Sequence, residues 1–256
     1  MRPDDDPARA ARDTDFGFRR VPLDAHAGMV RGVFDSVAGR YDLMNDLMSG
    51  GLHRLWKSAL LDWLAPRPGT TLLDVAGGTG DVARGFLGRV GGRGHVVVCD
   101  YNERMLQVGA NRSIDRGIVA GLDLVCADAA ALPFADRCFD ACTIAFGLRN
   151  VTRRAEALAE MRRILRPGGR FICLEFSRLA IAPLRPLYDA YSLRVLPALG
   201  RVVAGDAAAY RYLAESIRRF PDQPALAAEM DRAGFDRVRW RNLSGGVVAL
   251  HSGWRL

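Results

Sequence analysis

Lysine is nearly absent from this 256-residue chain: of 36 basic residues, Lys57 is the only lysine and the other 35 are arginines. The arginines are scattered, with doublets such as Arg153-Arg154 and Arg162-Arg163 in helix-like stretches. They come with no paired zinc spacing, no aromatic strand of the RNA-binding type and no basic helix carrying heptads. The net charge of +7 is therefore not read as a nucleic-acid surface. Long apolar runs are also missing. A membrane-spanning helix needs roughly 18 uncharged apolar residues, and the best stretch, 195–209, is broken by Gly200, Arg201 and Asp206. The opening MRPDDDPARAARD lacks the apolar centre of a signal peptide, so a cytoplasmic location is expected. Cysteine pairs are lacking too. Cys99, Cys126, Cys138, Cys142 and Cys173 form no C-x-x-C, which fits a reducing compartment and small buried hydrophobes.

What is present is ordinary globular material, 49% hydrophobic and 25% charged. Residues 1–28 hold six Asp and five Arg with few apolar groups, and are read as a disordered tail ahead of one domain over 29–256. Arg54 to Leu64 carries apolar residues at 55, 56, 59, 60, 63 and 64, the stripe of an amphipathic helix, stopped by Pro66 and Pro68-Gly69. Thr71–Ala76, His95–Cys99, Leu122–Cys126, Phe139–Ala145 and Arg170–Glu175 read as strands alternating with helical segments. That alternation predicts an α/β fold with a parallel sheet. Arg237–Leu243 and Val247–His251, joined by Ser244-Gly245-Gly246, predict a closing antiparallel pair. Between them and the core, 178–230 reads as a helical cover over the sheet's C-terminal edge.

The sharpest local signal is Leu72-Leu-Asp74-Val-Ala76-Gly77-Gly78-Thr79-Gly80-Asp81, which places glycines where a first strand must turn into a first helix. Asp100 follows at the end of the second strand, 21 residues after Thr79, a spacing that suits a carboxylate bonding both hydroxyls of a ribose. Gly78, Gly80 and Ala83 also satisfy G-x-G-x-x-A, so the pattern alone admits NAD. Three features favour S-adenosylmethionine. Asp74 lies near where a methionine amino group would sit, Asp128-Ala129 ends the third strand where adenine's amine could be met, and the antiparallel pair is unlike a dehydrogenase sheet. Together these elements resemble a class I methyltransferase.

Longer runs narrow the resemblance. Tyr41-Asp-Leu-Met-Asn-Asp-Leu-Met-Ser-Gly-Gly-Leu-His53-Arg-Leu-Trp56 and Arg163-Ile-Leu-Arg-Pro-Gly-Gly-Arg-Phe-Ile-Cys-Leu-Glu175-Phe-Ser177 are similar to the two signatures of the ubiquinone/menaquinone biosynthesis C-methyltransferases. Phe146-Gly-Leu-Arg-Asn-Val151, Tyr212-Leu-Ala-Glu-Ser-Ile-Arg218 and Gly245-Gly-Val-Val-Ala-Leu-His251 extend the match. The resemblance implies a Rossmann-like seven-stranded sheet with an antiparallel C-terminal edge, N-terminal helices and a helical lid insertion. It also implies S-adenosyl-L-methionine as cofactor and a polyprenylated quinol as substrate, either demethylmenaquinol or a 2-methoxy-6-polyprenyl-1,4-benzoquinol. Thr79, Asp100, Asp128 and Ala129, with Gly78 and Gly80, match its cofactor-binding positions. Ala145 stands where the family often has Ser, which removes a side-chain contact.

A ring carbon becomes nucleophilic when the quinol loses a phenolic proton, so the site needs a base or a cation near that hydroxyl. Arg149 could stabilise the phenolate, or form a structural salt bridge at a helix start. His53 could move a proton, or simply pack or cap a helix. Asp42, with Tyr41 and Asn45, could belong to an active-site lid or only begin a helix. Glu175 lies at the ligand edge of the sheet, or serves as partner to an Arg. Two rival functions stay open: a class I methyltransferase for another small phenolic or lipid acceptor, and a non-catalytic nucleoside-binding module. The prenylated acceptor further implies peripheral contact with the inner face of the cell membrane, or partner proteins of quinone biosynthesis. An 11-Arg stretch over 178–241, against five Asp and two Glu, is the candidate docking cover.

Overall fold

The computed structural model describes residues 13–37, 45–46, 49–180, 183 and 207–256. Its first elements correct the expected tail. Strands β1 (Asp13–Phe16) and β2 (Arg19–Pro22) form an antiparallel hairpin that runs straight into helix α1 (Leu23–Val37). Few apolar residues are needed because their partners lie far along the chain. Phe16 and Val21 are buried against Tyr210, Tyr212 and Leu213, and the Phe16 ring stacks on Tyr212 at 4.2 Å between centroids. The Phe18 N–H donates to Glu215 Oε2 at 3.0 Å. Residues 1–12 lie outside the described residues, as do 181–182 and 184–206 of the predicted cover.

Helix α2 (His53–Leu64) buries His53, Trp56, Leu60, Leu61 and Leu64 on one stripe and ends at Ala65, whose left-handed φ of 50° precedes Pro66. There follow β3 (Thr71–Val75), α3 (Asp81–Arg89), β4 (His95–Asp100), α4 (Glu103–Asp115), β5 (Leu122–Cys126) and β6 (Phe139–Ala145). A 3₁₀ turn at Leu148–Asn150 leads to α5 (Arg154–Arg163), β7 (Leu165–Phe176), α6 (Ala207–Arg219), α7 (Gln223–Arg232), β8 (Asp236–Leu243) and β9 (Val248–Arg255). Side-chain oxygens of Asn102 and Asp222 cap α4 and α7.

The seven strands of the main sheet are ordered β5-β4-β3-β6-β7-β9-β8. The antiparallel pair is present, with one refinement. Strand β9 runs antiparallel to both β7 and β8, so the edge strand β8 points the same way as the core strands. Alternate residues face two cores. Leu72, Ile172 and Leu174 pack under α2 and α3, while Leu73, Val75, Phe171 and Cys173 pack against α5 and α7. The chain winds outward from β3 through β4 to β5 and then returns to β6, so strand order reverses between β3 and β6. The carboxyl ends of the strands there form the crevice where open α/β sheets bind ligands.

Candidate active site

That crevice opens into a cavity of about 740 Å³, walled on the sheet side by Ala76, Gly78, Asp100, Asp128, Ala129 and Phe146. Helix α1 supplies the facing wall through Leu23, Asp24, Ala27, Val30 and Arg31. The loop after β3 reaches this shape through positive φ at Ala76 (49°), Gly78 (54°) and Gly80 (79°). Gly77 cannot be replaced without movement, because a Cβ there would lie 2.7 Å from Val98 Cγ1 and 2.8 Å from Asp74 Oδ2.

Asp100 is the best-held group on the wall. Its Oδ2 accepts the Gly78 N–H and its Oδ1 the Asn102 N–H, each at 2.8 Å. Burial raises its carboxyl above the usual range, and these backbone donors oppose the rise. A carboxylate offers about four lone-pair sites, so two backbone bonds leave capacity for the hydroxyls of a ribose. Asp128 Oδ1 accepts the Ala130 N–H at 2.8 Å, and Oδ2 pairs with Arg153 at 2.8 Å. A nucleoside approaching Asp128 must share it with that guanidinium.

The other sequence candidates lie off the described wall. Thr79 is buried, its backbone packed against Gly109 of α4 and its carbonyl accepting from Arg84. Gly80 starts α3. Asp74 is buried with Oδ1 accepting the Thr143 hydroxyl at 2.7 Å, while Oδ2 has no hydrogen-bond partner. Its carboxyl is pushed up to about 7 by burial, against the opposing Thr143 bond and Lys57 charge. Arg149 and Glu175 form a buried ion pair at 2.6 Å, and Arg149 Nη1 also donates to the Phe146 carbonyl at 2.7 Å. The pair therefore braces the turn that carries Phe146, Gly147, Asn150 and Val151 to the cavity. His53 is buried at the start of α2, its Nε2 2.9 Å from Asp46 Oδ1, and burial lowers its basicity while Asp46 opposes. Tyr41 and Asp42 lie outside the described residues.

Sequence reasoning missed α1 altogether as a wall, together with Tyr101, Asn102, Asn150 and Thr152. His26 of α1 shares a 2.7 Å hydrogen bond with the Thr152 hydroxyl. The available signal was a broken apolar face, Phe16 and Val21 inside the charged segment and Met29, Val30 and Val33 just after it.

Gly147 illustrates how tightly the wall is built. A Cβ there would collide with the methyl of Ala76, itself held at φ 49°. Ala76→Gly is expected to stabilise the protein by about 1 kcal/mol, since a left-handed alanine costs that much relative to glycine. Gly147→Ala should cost about 1–3 kcal/mol as overpacking, and less in the Ala76→Gly background. Urea unfolding of the four proteins checks this, and additive effects would contradict the contact.

Asp74 predicts a pH effect. Its folded-state pKa of about 7 lies above the ordinary carboxyl value, so the folded protein keeps a proton that the unfolded chain has already released. This site's contribution is fully favourable below about pH 4 and is lost as pH rises toward 7. Asp74→Asn should therefore gain stability relative to the natural protein over that window. A difference independent of pH would contradict the assignment.

The fold and the site define a class I S-adenosylmethionine-dependent methyltransferase. A switch-point cavity, a glycine turn that admits close approach and a pinned carboxylate at the end of β4 suit that cofactor. Solved structures support the fold. A SAM-dependent methyltransferase from Aquifex aeolicus aligns at TM-score 0.62 and 16% identity over 84% of this chain and 98% of that one. A methyltransferase from Thermotoga maritima described as a possible histamine N-methyltransferase aligns at TM-score 0.61 and 19% identity over 88% and 99%. Sequence is more specific. The ubiE/COQ5 methyltransferase family model matches residues 23–255. The chain is 57% identical over 245 residues to the ubiquinone/menaquinone biosynthesis C-methyltransferase UbiE of Paracoccus denitrificans, covering 96% of this chain and 98% of that protein. It is 52% identical to the protein of that name from Brucella abortus, over 94% and 90%. This chain belongs to the ubiE/COQ5 methyltransferase family.

Proposed function

We propose that this chain methylates a ring carbon of a polyprenylated quinol in ubiquinone or menaquinone biosynthesis. Demethylmenaquinol and 2-methoxy-6-polyprenyl-1,4-benzoquinol are its acceptors. The observation that carries this reading is one continuous cavity running from Asp100 and Asp128 to Phe146, Gly147 and Asn150, beneath α1. S-adenosylmethionine supplies an electrophilic methyl group on a sulfonium when bound. Asp100 holds the ribose hydroxyls, Asp128 with Ala129 holds the adenine edge, and Gly78 lets the backbone approach closely. Thr79 and Gly80 act through the shape of the loop.

The protein's task toward the acceptor is positioning and exclusion of water. Asn150 Oδ1 accepts the Tyr212 hydroxyl at 3.1 Å, which leaves its side-chain N–H groups for a quinol oxygen. Arg149 contributes through the turn that it braces with Glu175, the carboxylate that compensates its charge. As a permanently protonated group it is not a free base. Asp42 and His53 are the candidates, on the family signature, for closing the acceptor side and moving the phenolic proton.

The redox state of the acceptor tests this reading. Only the quinol has a phenolic proton to lose, so turnover is expected with the reduced acceptor under dithionite and not with the quinone. Equal turnover on quinone, or turnover on a sterol or simple phenol with none on either quinol, would overturn it.

A polyprenyl tail does not leave a bilayer freely, and no helix among the described residues is long and apolar enough to cross a membrane. Peripheral docking through the arginine-rich stretch is part of the same proposal. In its described portion Arg237, Arg239, Trp240 and Arg241 are exposed on edge strand β8. Each surface cation contributes about 1 kcal/mol on an anionic leaflet, and salt screens it. Co-sedimentation with anionic vesicles is expected at low salt, with release at high salt. Equal binding to neutral vesicles, or none to either, would contradict basic docking.

A further inference from the structure

Helix α1 does more than wall the cavity. Its Arg31 Nη2 donates to the Tyr101 carbonyl at 3.2 Å, and the guanidinium lies 4.6 Å from the centroid of the Tyr101 ring. One turn further, on the same face, Asp35 Oδ1 accepts the side-chain amide of Asn102 at 2.9 Å. Asn102 is committed three ways. Its N–H donates to Asp100 Oδ1 at 2.8 Å, its side-chain oxygen accepts the Met105 N–H at 3.1 Å, and its side-chain nitrogen reaches Asp35. A flip of its side-chain amide would break both side-chain bonds, setting nitrogen against the Met105 N–H and oxygen against Asp35. Tyr101 and Asn102 follow Asp100 directly, and Arg31, Asp100, Tyr101 and Asn102 all line the cavity.

We propose that Arg31 and Asp35 are cofactor-positioning residues: from α1 they clamp Tyr101–Asn102 and so fix the Asp100 carboxylate for the ribose. Asp35 touches no reacting group and acts through Asn102. The assignment rests on the reading of Asp100 as the ribose partner, and it adds that the helix closing the cavity and the cofactor carboxylate are set by one chain of hydrogen bonds. The acceptor role of Asp35 requires an oxygen and not a charge, since Asn102 donates through a neutral amide.

Calorimetry of S-adenosylmethionine binding tests this without turnover. Asp35→Ala is expected to weaken binding five- to twentyfold. Asp35→Asn, which keeps an acceptor oxygen, should stay within twofold of the natural protein. Arg31→Ala, a second and separate break in the clamp, should weaken binding at least fivefold. In an Asp100→Ala background Asp35→Ala should add less than twofold, because its effect passes through the carboxylate already removed. Steady-state kinetics of Asp35→Ala should show a raised KM for the cofactor with kcat nearly unchanged. If Asp100→Ala itself binds normally, the ribose reading fails. If Asp100→Ala weakens binding while Asp35→Ala and Arg31→Ala do not, the clamp alone is overturned. An undiminished Asp35→Ala effect in the Asp100→Ala background also overturns it.

Discussion

Asp100→Ala is expected to weaken S-adenosylmethionine binding by about 2–4 kcal/mol, roughly 30- to 1,000-fold, if two charge-assisted hydrogen bonds to the ribose are lost. The effect has a second source. Gly78 and Asn102 both donate backbone N–H groups to this carboxylate, so its removal also frees the glycine turn and the residue that caps α4. Asp100→Asn keeps one acceptor oxygen and should fall between alanine and the natural residue. Titration calorimetry decides, and unchanged affinity in Asp100→Ala would remove the ribose assignment.

Breaking the Arg149–Glu175 pair should produce the largest loss of stability. Both side chains are buried, and Glu175 is only 1% exposed. Arg149→Leu therefore leaves a carboxylate without its counter-charge in the core, at a cost of about 3–5 kcal/mol. For a chain of this length that is a fall in Tm of roughly 10 °C. The folded fraction should still bind the cofactor, because Arg149 is absent from the described cavity wall. Replacing both members, Arg149→Met with Glu175→Leu, should restore most of the stability, since a buried pair is often matched by apolar side chains. Quinol turnover should remain depressed, because the brace on the turn that carries Phe146 to the cavity is gone. Turnover that returns together with stability would make the pair purely structural.

The contrast between Asp100 and Arg149 explains what the sequence could tell. The turn after β3 was legible because positive φ and close backbone approach demand glycine locally, and the carboxylate after β4 follows at a spacing set by one βαβ unit. The sequence offered Arg149 a salt bridge and Glu175 an Arg partner, but that the two pair with each other, 26 positions apart on neighbouring elements, is something no local spacing reveals. Motif matching named Thr79 as a cofactor contact; a pattern gives residue types and not surroundings, and in the structure the Thr79 backbone packs against Gly109 of α4. The segment before residue 29 was misread for a related reason. Its apolar residues are too few to form a core alone, and their partners, Tyr210 to Leu213, come almost two hundred residues later. With residues 23–28 of α1 assigned to a tail, the helix as a whole was not recognised, and His26, Arg31 and Asp35 could not be placed at the site.

The central claim is tested most directly by following the transferred carbon. The protein is incubated with S-adenosylmethionine labelled with carbon-13 in its methyl group and with reduced demethylmenaquinol, and the extracted product is examined by carbon NMR. A single enriched resonance in the aryl-methyl region, attached to the ring carbon that carried hydrogen, is the predicted result. Enrichment in the methoxy region, or cofactor binding with no label in any quinol, would contradict it.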